Sequence, residues 1–170
     1  HDKSGNSLAK QGEYLVNFTL VNGMNILQEL LEQKEVLNVK FDFNLLEIFF
    51  KNLNIENIIN ELNSRGYSYY PVIKIYYNLY RFNKNIKNYE YYSLLRNSII
   101  ENLKLFDEEE RYNLFLGLES CAVTRIREGL NNSHEDLMEV YELMLSQKSF
   151  SGSKRKYMQA NLFRNIFYTA

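Results

Sequence analysis

The side chains able to do chemistry are few in this sequence and stand apart. There are two histidines, His1 and His134, and one cysteine, Cys121. A zinc site or an acid–base pair needs companion groups brought together in space. His134 has Glu135 and Asp136 beside it, but adjacent helix positions point in different directions, so it reads as a surface histidine. Cys121 lies within an apolar helical stretch, whereas a reactive thiol needs an electropositive, partly open setting. It reads as a small buried hydrophobe, with Arg125 one turn on as the one hint of reactivity. The carboxylates of Asp107 to Glu110 read as a helix start, and those of Glu135, Glu139 and Glu142 as a wetted helix face. No glycine-rich phosphate loop is present. Lys154-Arg155-Lys156 is the one basic cluster and reads as a solvated helix start. The sequence therefore assigns no catalytic, cofactor-binding or metal-binding residue.

Aromatic side chains are the real excess, with 14 tyrosines and 11 phenylalanines among 170 residues. Tyrosine combines rigid contact area with a polar tip and is enriched at interfaces. Tyr69, Tyr76, Tyr77 and Tyr80 stand in a dense apolar run and read as core. Tyr89 and Tyr92, on a more polar helix, read as exposed. The net charge of -1 gives no electrostatic footprint for nucleic acid or anionic membrane. No apolar run is long enough to cross a bilayer. A single cysteine excludes an internal disulfide framework and fits a reducing, cytoplasmic setting.

The elements that must position these residues are helices. With 7 Gly and 1 Pro, a turn-built all-β protein is excluded. Residues 1–7 are polar and read as a disordered tail. Leu20, Met24, Leu27 and Leu31 make one stripe of a helix from Leu8 to about Gln33, widened by Leu15, Phe18 and Ile26, with Gly23 suited to close packing. Val36–Phe43 reads as a loop. Asp42 or Asn44 caps a short helix carrying Leu45, Leu46, Phe49, Phe50 and Leu53, and Asn54 caps a helix with Ile55, Ile58, Ile59 and Leu62 on one face. Arg65-Gly66 ends it. Pro71 starts a helix that is apolar in nearly every direction through Tyr80, hence buried all round. After the polar linker 83–88 comes a helix with Tyr91, Leu95, Ile99 and Leu103 in line. Asp107 with Glu110 is a capping box for the stripe Phe115, Leu118, Ala122 and Ile126, stopped by Gly129. Ser133 with Asp136 caps a helix that buries Leu137, Val140, Tyr141 and Met144. A loop at 149–153 precedes a last helix from about Lys154 with Met158, Leu162 and Ile166.

Eight helices with no convincing strand give an all-α fold. Helix starts at Pro71, Glu108 and Lys154 recur after 37 and 46 residues, each followed by a one-sided helix except the last. This alternation predicts antiparallel helix pairs stacked as an α-solenoid, one helical-repeat domain over 8–170. The unmated last helix predicts a segment of a longer chain.

The segments Tyr70-Pro71-Val72-Ile73-Lys74-Ile75-Tyr76-Tyr77-Asn78-Leu79-Tyr80, Tyr91-Tyr92-Ser93-Leu94-Leu95 and Phe106 to Phe115 carry a resemblance. Together they resemble a family of long, uncharacterised bacterial helical-repeat proteins of tetratricopeptide-like type, over about Leu15 to the end. The standard tetratricopeptide consensus is not matched. The resemblance implies a solenoid and an interaction role, and brings no catalytic residue. The expected function is a non-catalytic scaffold that binds another protein or the rest of its own parent chain. Met158, Leu162, Ile166 and Phe167, with Tyr89 and Tyr92, are the expected contact surface, and self-association through the last helix is expected. A second reading is an enzyme or small-ligand binder, which a deep pocket gathering Arg125, tyrosines and a carboxylate would favour. A third is a helical RNA binder, against which the charge balance argues.

Overall fold

The computed structural model describes residues 3–36, 40, 44–149, 157, 158 and 160–169. Among them every regular element is helical: α1 (Lys3–Val36), α2 (Leu45–Asn52), α3 (Ile55–Ser64), α4 (Tyr70–Lys84), α5 (Tyr89–Asn102), a 3₁₀ turn (Leu103–Leu105), α6 (Glu108–Arg127), α7 (Ser133–Ser146) and α8 (Ala160–Thr169). The all-α expectation holds. α1 starts at Lys3, so residues 3–7 are helical where their composition predicts a tail. The expected loop at Val36–Phe43 lies mostly outside the described residues, as does the basic cluster 154–156. The chain divides into two compact units, 1–84 and 85–170, with the boundary inside the polar stretch 83–88.

Helix ends are set locally. The side chains of Asn44, Asn54 and Asn88 accept from backbone N–H groups of the first turns of α2, α3 and α5. At α6 both halves of the capping box form: the Glu110 N–H donates to Asp107 Oδ1 at 2.8 Å and the Asp107 N–H to Glu110 Oε2 at 2.9 Å. α3, α6 and α7 end alike, in two crossing bonds around a left-handed residue. That residue is Gly66, Gly129 or, at α7, Lys148 with φ 52°.

The first unit is an apolar knot. α1 contributes Leu20, Met24 and Leu27, and α4 contributes Ile73, Tyr77 and Tyr80, the same four-then-three spacing from both helices. Phe50 of α2 and Ile55 and Ile59 of α3 complete the cluster. Each such side chain removed from water is worth about 1.5–3 kcal/mol. From Tyr70 to Asn83 no residue of α4 is exposed, as an all-round apolar helix requires. Its cations lie over tyrosines one turn back: Lys74 over Tyr70, Arg81 over Tyr77 and Lys84 over Tyr80, at 5.7, 5.6 and 4.5 Å.

α1 departs from expectation on its other face. Leu15, Phe18 and Ile26 are 65%, 54% and 48% exposed, because α2 and α4 cover only the face carrying Leu20, Met24 and Leu27. The side chain of Leu31 lies outside the described set. Gly23 does mark close packing: a Cβ there would stand 2.8 Å from the Phe50 ring.

In the second unit α6 and α7 share the most extensive contact, and α5 and α8 each flank one of them. Tyr92, Leu95, Ile99 and Leu103 face inward from α5 and the turn after it; Phe115, Leu118 and Ala122 from α6; Leu137, Val140, Tyr141 and Met144 from α7. Ser133 does not cap α7. Its hydroxyl donates to the Leu130 carbonyl, and Asn132, left-handed at φ 60°, precedes the helix.

Two glycines of α1 predict opposite outcomes. Nothing lies within 4 Å of a Cβ at Gly12, so Gly12→Ala should gain about 1 kcal/mol of helix propensity. Gly23→Ala should lose about 1–2 kcal/mol net, because overpacking against Phe50 outweighs that gain. Urea titration of both variants checks the contrast; equal shifts would deny the α1–α2 contact its role.

Candidate functional site

One polar cluster is built into the interior of the second unit. α5 starts under the Asn88 cap and places Tyr89 and Tyr92 three apart, on one face. α6 places Arg125 one turn beyond Cys121. The turn through Asn132 brings Asp136 back into the first turn of α7, where its N–H donates to the Asn132 carbonyl at 2.9 Å. Arg125 is 2% exposed and Asp136 4%.

The guanidinium is met on several sides. Its Nε donates to Asp136 Oδ2 at 3.3 Å, Nη1 to the Ile86 carbonyl at 3.3 Å, and Nη2 to the Asn131 carbonyl at 3.1 Å. Its Cζ lies 4.9 Å from the Tyr89 ring centre and 5.5 Å from that of Tyr92. The other Asp136 oxygen accepts from the Tyr89 hydroxyl at 3.1 Å. Beside this group Arg96 of α5 pairs with Glu139 of α7. Further along α7 the Tyr141 hydroxyl donates to Glu119 Oε1 of α6 at 2.8 Å.

Burial dominates the electrostatics. It pushes the Asp136 carboxyl above its ordinary range, and the Tyr89 hydroxyl and Arg125 only partly offset it. Burial, then the charge of Asp136, raises the Tyr89 and Tyr92 phenols. Burial, then the bond to Glu119, raises Tyr141. A phenol held so strongly in its neutral form is no general base near neutrality.

The cluster gathers Arg125, two tyrosines and a carboxylate, the combination that would favour a small-ligand site. Yet it is filled by its own members: both Asp136 oxygens and all three guanidinium nitrogens are engaged. Its chemistry is that of a clasp joining α5, α6, α7 and the segments around Ile86 and Asn131. Arg125 entered the sequence reading as a neighbour of Cys121 and as a member of the pocket that a ligand binder would need; its burial carried no sequence signal, since arginine is ordinarily exposed.

The residues expected at a contact surface do not form one set. Tyr89 is 47% exposed, but Tyr92 is fully buried, because the inward stripe of α5 runs through Tyr92 and not Tyr91. On α8, Leu162 is buried, Ile166 is half-buried, and Phe167 is exposed together with Phe163, four residues away; Met158, half-buried, precedes the helix, which starts at Ala160 and not near Lys154. His134 is exposed and Cys121 buried. Among the described residues no three histidine, cysteine or carboxylate side chains gather to hold a metal ion, and no helix is long and apolar enough to cross a membrane. Among the described residues the longest uncovered stretch is in α1, where every residue from Asn6 to Val16 is exposed, including Leu15, which the sequence reading placed on the apolar stripe.

Asp136→Ala strands a buried guanidinium and should cost about 3–5 kcal/mol, whereas Arg125→Met combined with Asp136→Leu should cost less than either single change. A double-mutant cycle in urea tests this; additive losses would mean the two groups do not depend on each other. The raised phenols also set a pH window. A neutral phenol favoured by the fold contributes stability that is complete below about pH 10, the ordinary tyrosine value. That stability falls as pH rises from there through the folded values. Tyrosinate absorbance and far-ultraviolet circular dichroism should show a late group of tyrosines ionising only as helix is lost. Tyr92→Phe and Tyr141→Phe should shrink that late step, and an unchanged step would refute the assignment.

Compared with known proteins, the chain matches no family model, no curated protein and no solved structure.

Proposed function

We propose that this chain is a non-catalytic helical scaffold that binds another protein, with the N-terminal half of α1 as the docking element. The observation that carries the reading is the uncovered run from Asn6 to Val16. Within and just after it, Leu8, Tyr14, Leu15, Val16 and Phe18 are all exposed. Eleven exposed helical residues, one of them a glycine, are marginal on their own in water. They extend from the packed part of α1, and burying them would be favourable. Leu8 and Leu15 are seven residues apart and Phe18 three further, so the three lie along one side of the helix. An amphipathic helix laid into an apolar groove is read through such anchors.

The tetratricopeptide-like solenoid is the architecture proposed for the scaffold. In its support, α5, α6, α7 and α8 each contact the next in sequence. The first unit is organised differently, with α1 packed chiefly against α4. The small-ligand reading is disfavoured because the one polar cluster is filled from within.

A photo-crosslinking residue in place of Leu15 should give a discrete adduct with a protein, whether foreign or a second copy. The same residue in place of exposed Asn113 should not. Leu8→Glu with Phe18→Ser should weaken capture by roughly a hundredfold. Failure of the Leu15 probe to exceed the Asn113 control would reject α1 as the docking element.

A further inference from the structure

We propose that residues 85–89 are a strap across the second unit, and that Arg125 is its fastening. Asn85, Lys87 and Tyr89 are exposed, with Ile86 and Asn88 half-buried between them. The strap's own bonds are local: the Asn88 N–H donates to the Asn85 carbonyl at 3.0 Å, and the Asn88 side chain accepts from the Glu90 N–H at 3.0 Å. Its polar ties to α6 and α7 among the described residues run through the clasp. The Ile86 carbonyl accepts from Arg125, the Tyr89 ring lies over Arg125, and the Tyr89 hydroxyl donates to Asp136.

The α6–α7 turn beneath does not depend on those ties. It is closed by the Gly129 N–H to the Ile126 carbonyl, the Leu130 N–H to the Arg125 carbonyl and the Asp136 N–H to the Asn132 carbonyl, at 2.9, 3.0 and 2.9 Å. A largely exposed segment tied down by one hydrogen bond from Arg125 and one to Asp136, over a hairpin with its own bonds and the unit's most extensive contact, is a local opening unit. Releasing Arg125 frees the strap and the first turn of α5, and α6 and α7 stay folded. The charged and titratable side chains in contact with Arg125 are Tyr89 and Tyr92 from α5 and Asp136 from α7, and the pair Arg96 and Glu139 also joins α5 to α7.

The test is native-state hydrogen exchange by mass spectrometry on the full chain. Arg125→Lys keeps the charge but lacks the planar fork that reaches a carboxylate and two carbonyls at once. Amides of 86–92 should exchange faster by roughly tenfold or more, with those of 112–122 and 137–144 unchanged. Should that variant misfold, Arg125→Met with Asp136→Asn removes both charges and should give the same local pattern. Tyr89→Phe, which deletes one strap tie and no charge, should give a smaller acceleration over the same residues. Unchanged protection of 86–92 in a folded Arg125 variant would overturn the proposal. So would equal loss of protection across α5, α6 and α7, which would make Arg125 a general core residue.

Discussion

A guanidinium removed from water must be answered by oxygens and aromatic faces in place of solvent, and the second unit is arranged around that requirement. Burying a charge without partners costs far more than a single helix contact supplies. The answering groups come from four places in the sequence: Ile86, the pair Tyr89 and Tyr92, Asn131, and Asp136. No single helix could provide them. The left-handed turn at Asn132 and the cap at Asn88 therefore do more than end helices. They bring a carbonyl and a carboxylate from one side, and two rings from the other, onto one side chain. Such a network gains little stability over a well-packed apolar alternative. What it adds is direction, because each of the three guanidinium nitrogens of Arg125 meets an oxygen from a different segment.

The first unit solves the same packing problem without charge. Matching spacing on α1 and α4 lets Leu20, Met24 and Leu27 meet Ile73, Tyr77 and Tyr80. Apolar interlocking of this kind is more tolerant of substitution. Gly23 supplies a sharper constraint, since the ring of Phe50 occupies the space a side chain would need. The cations of α4 add direction at modest cost. Each lies over the tyrosine one turn before it, and Arg81 and Lys84 also fall in the last turn, where the helix dipole favours positive charge.

What the sequence revealed follows from how local each feature is. The caps at Asn44, Asn54 and Asp107, and the stops at Gly66 and Gly129, depend on a few adjacent residues, and all were legible. The burial of α4 was legible because its composition leaves no polar face. Leu15, Phe18 and Ile26 were misread because apolar character does not reveal whether a neighbouring element exists to cover it. Tyr92 was misread for a related reason. A shift of one residue turns a helix position by about 100°, and the choice between Tyr91 and Tyr92 is made by Arg125, more than thirty residues away. Lys148 hid a helix stop that glycine would have announced, since a left-handed lysine is uncommon.

Polar and apolar groups are disposed in opposite ways in this chain. Catalysis needs polar groups poised toward a substrate and not already satisfied by the protein. Among the described residues the polar groups gathered around Arg125 are turned inward, with Asp136 accepting on both oxygens and the phenols of Tyr89, Tyr92 and Tyr141 held in their neutral form. The apolar groups left in water are a helix side carrying Leu8, Leu15 and Phe18, and the pair Phe163 and Phe167 on α8. Hydrophobic surface has no directional chemistry, but covering it is favourable in proportion to its area. Covering Leu8, Leu15 and Phe18 would add to the stability of any contact that buries them, which is the physical basis of the docking role proposed for α1.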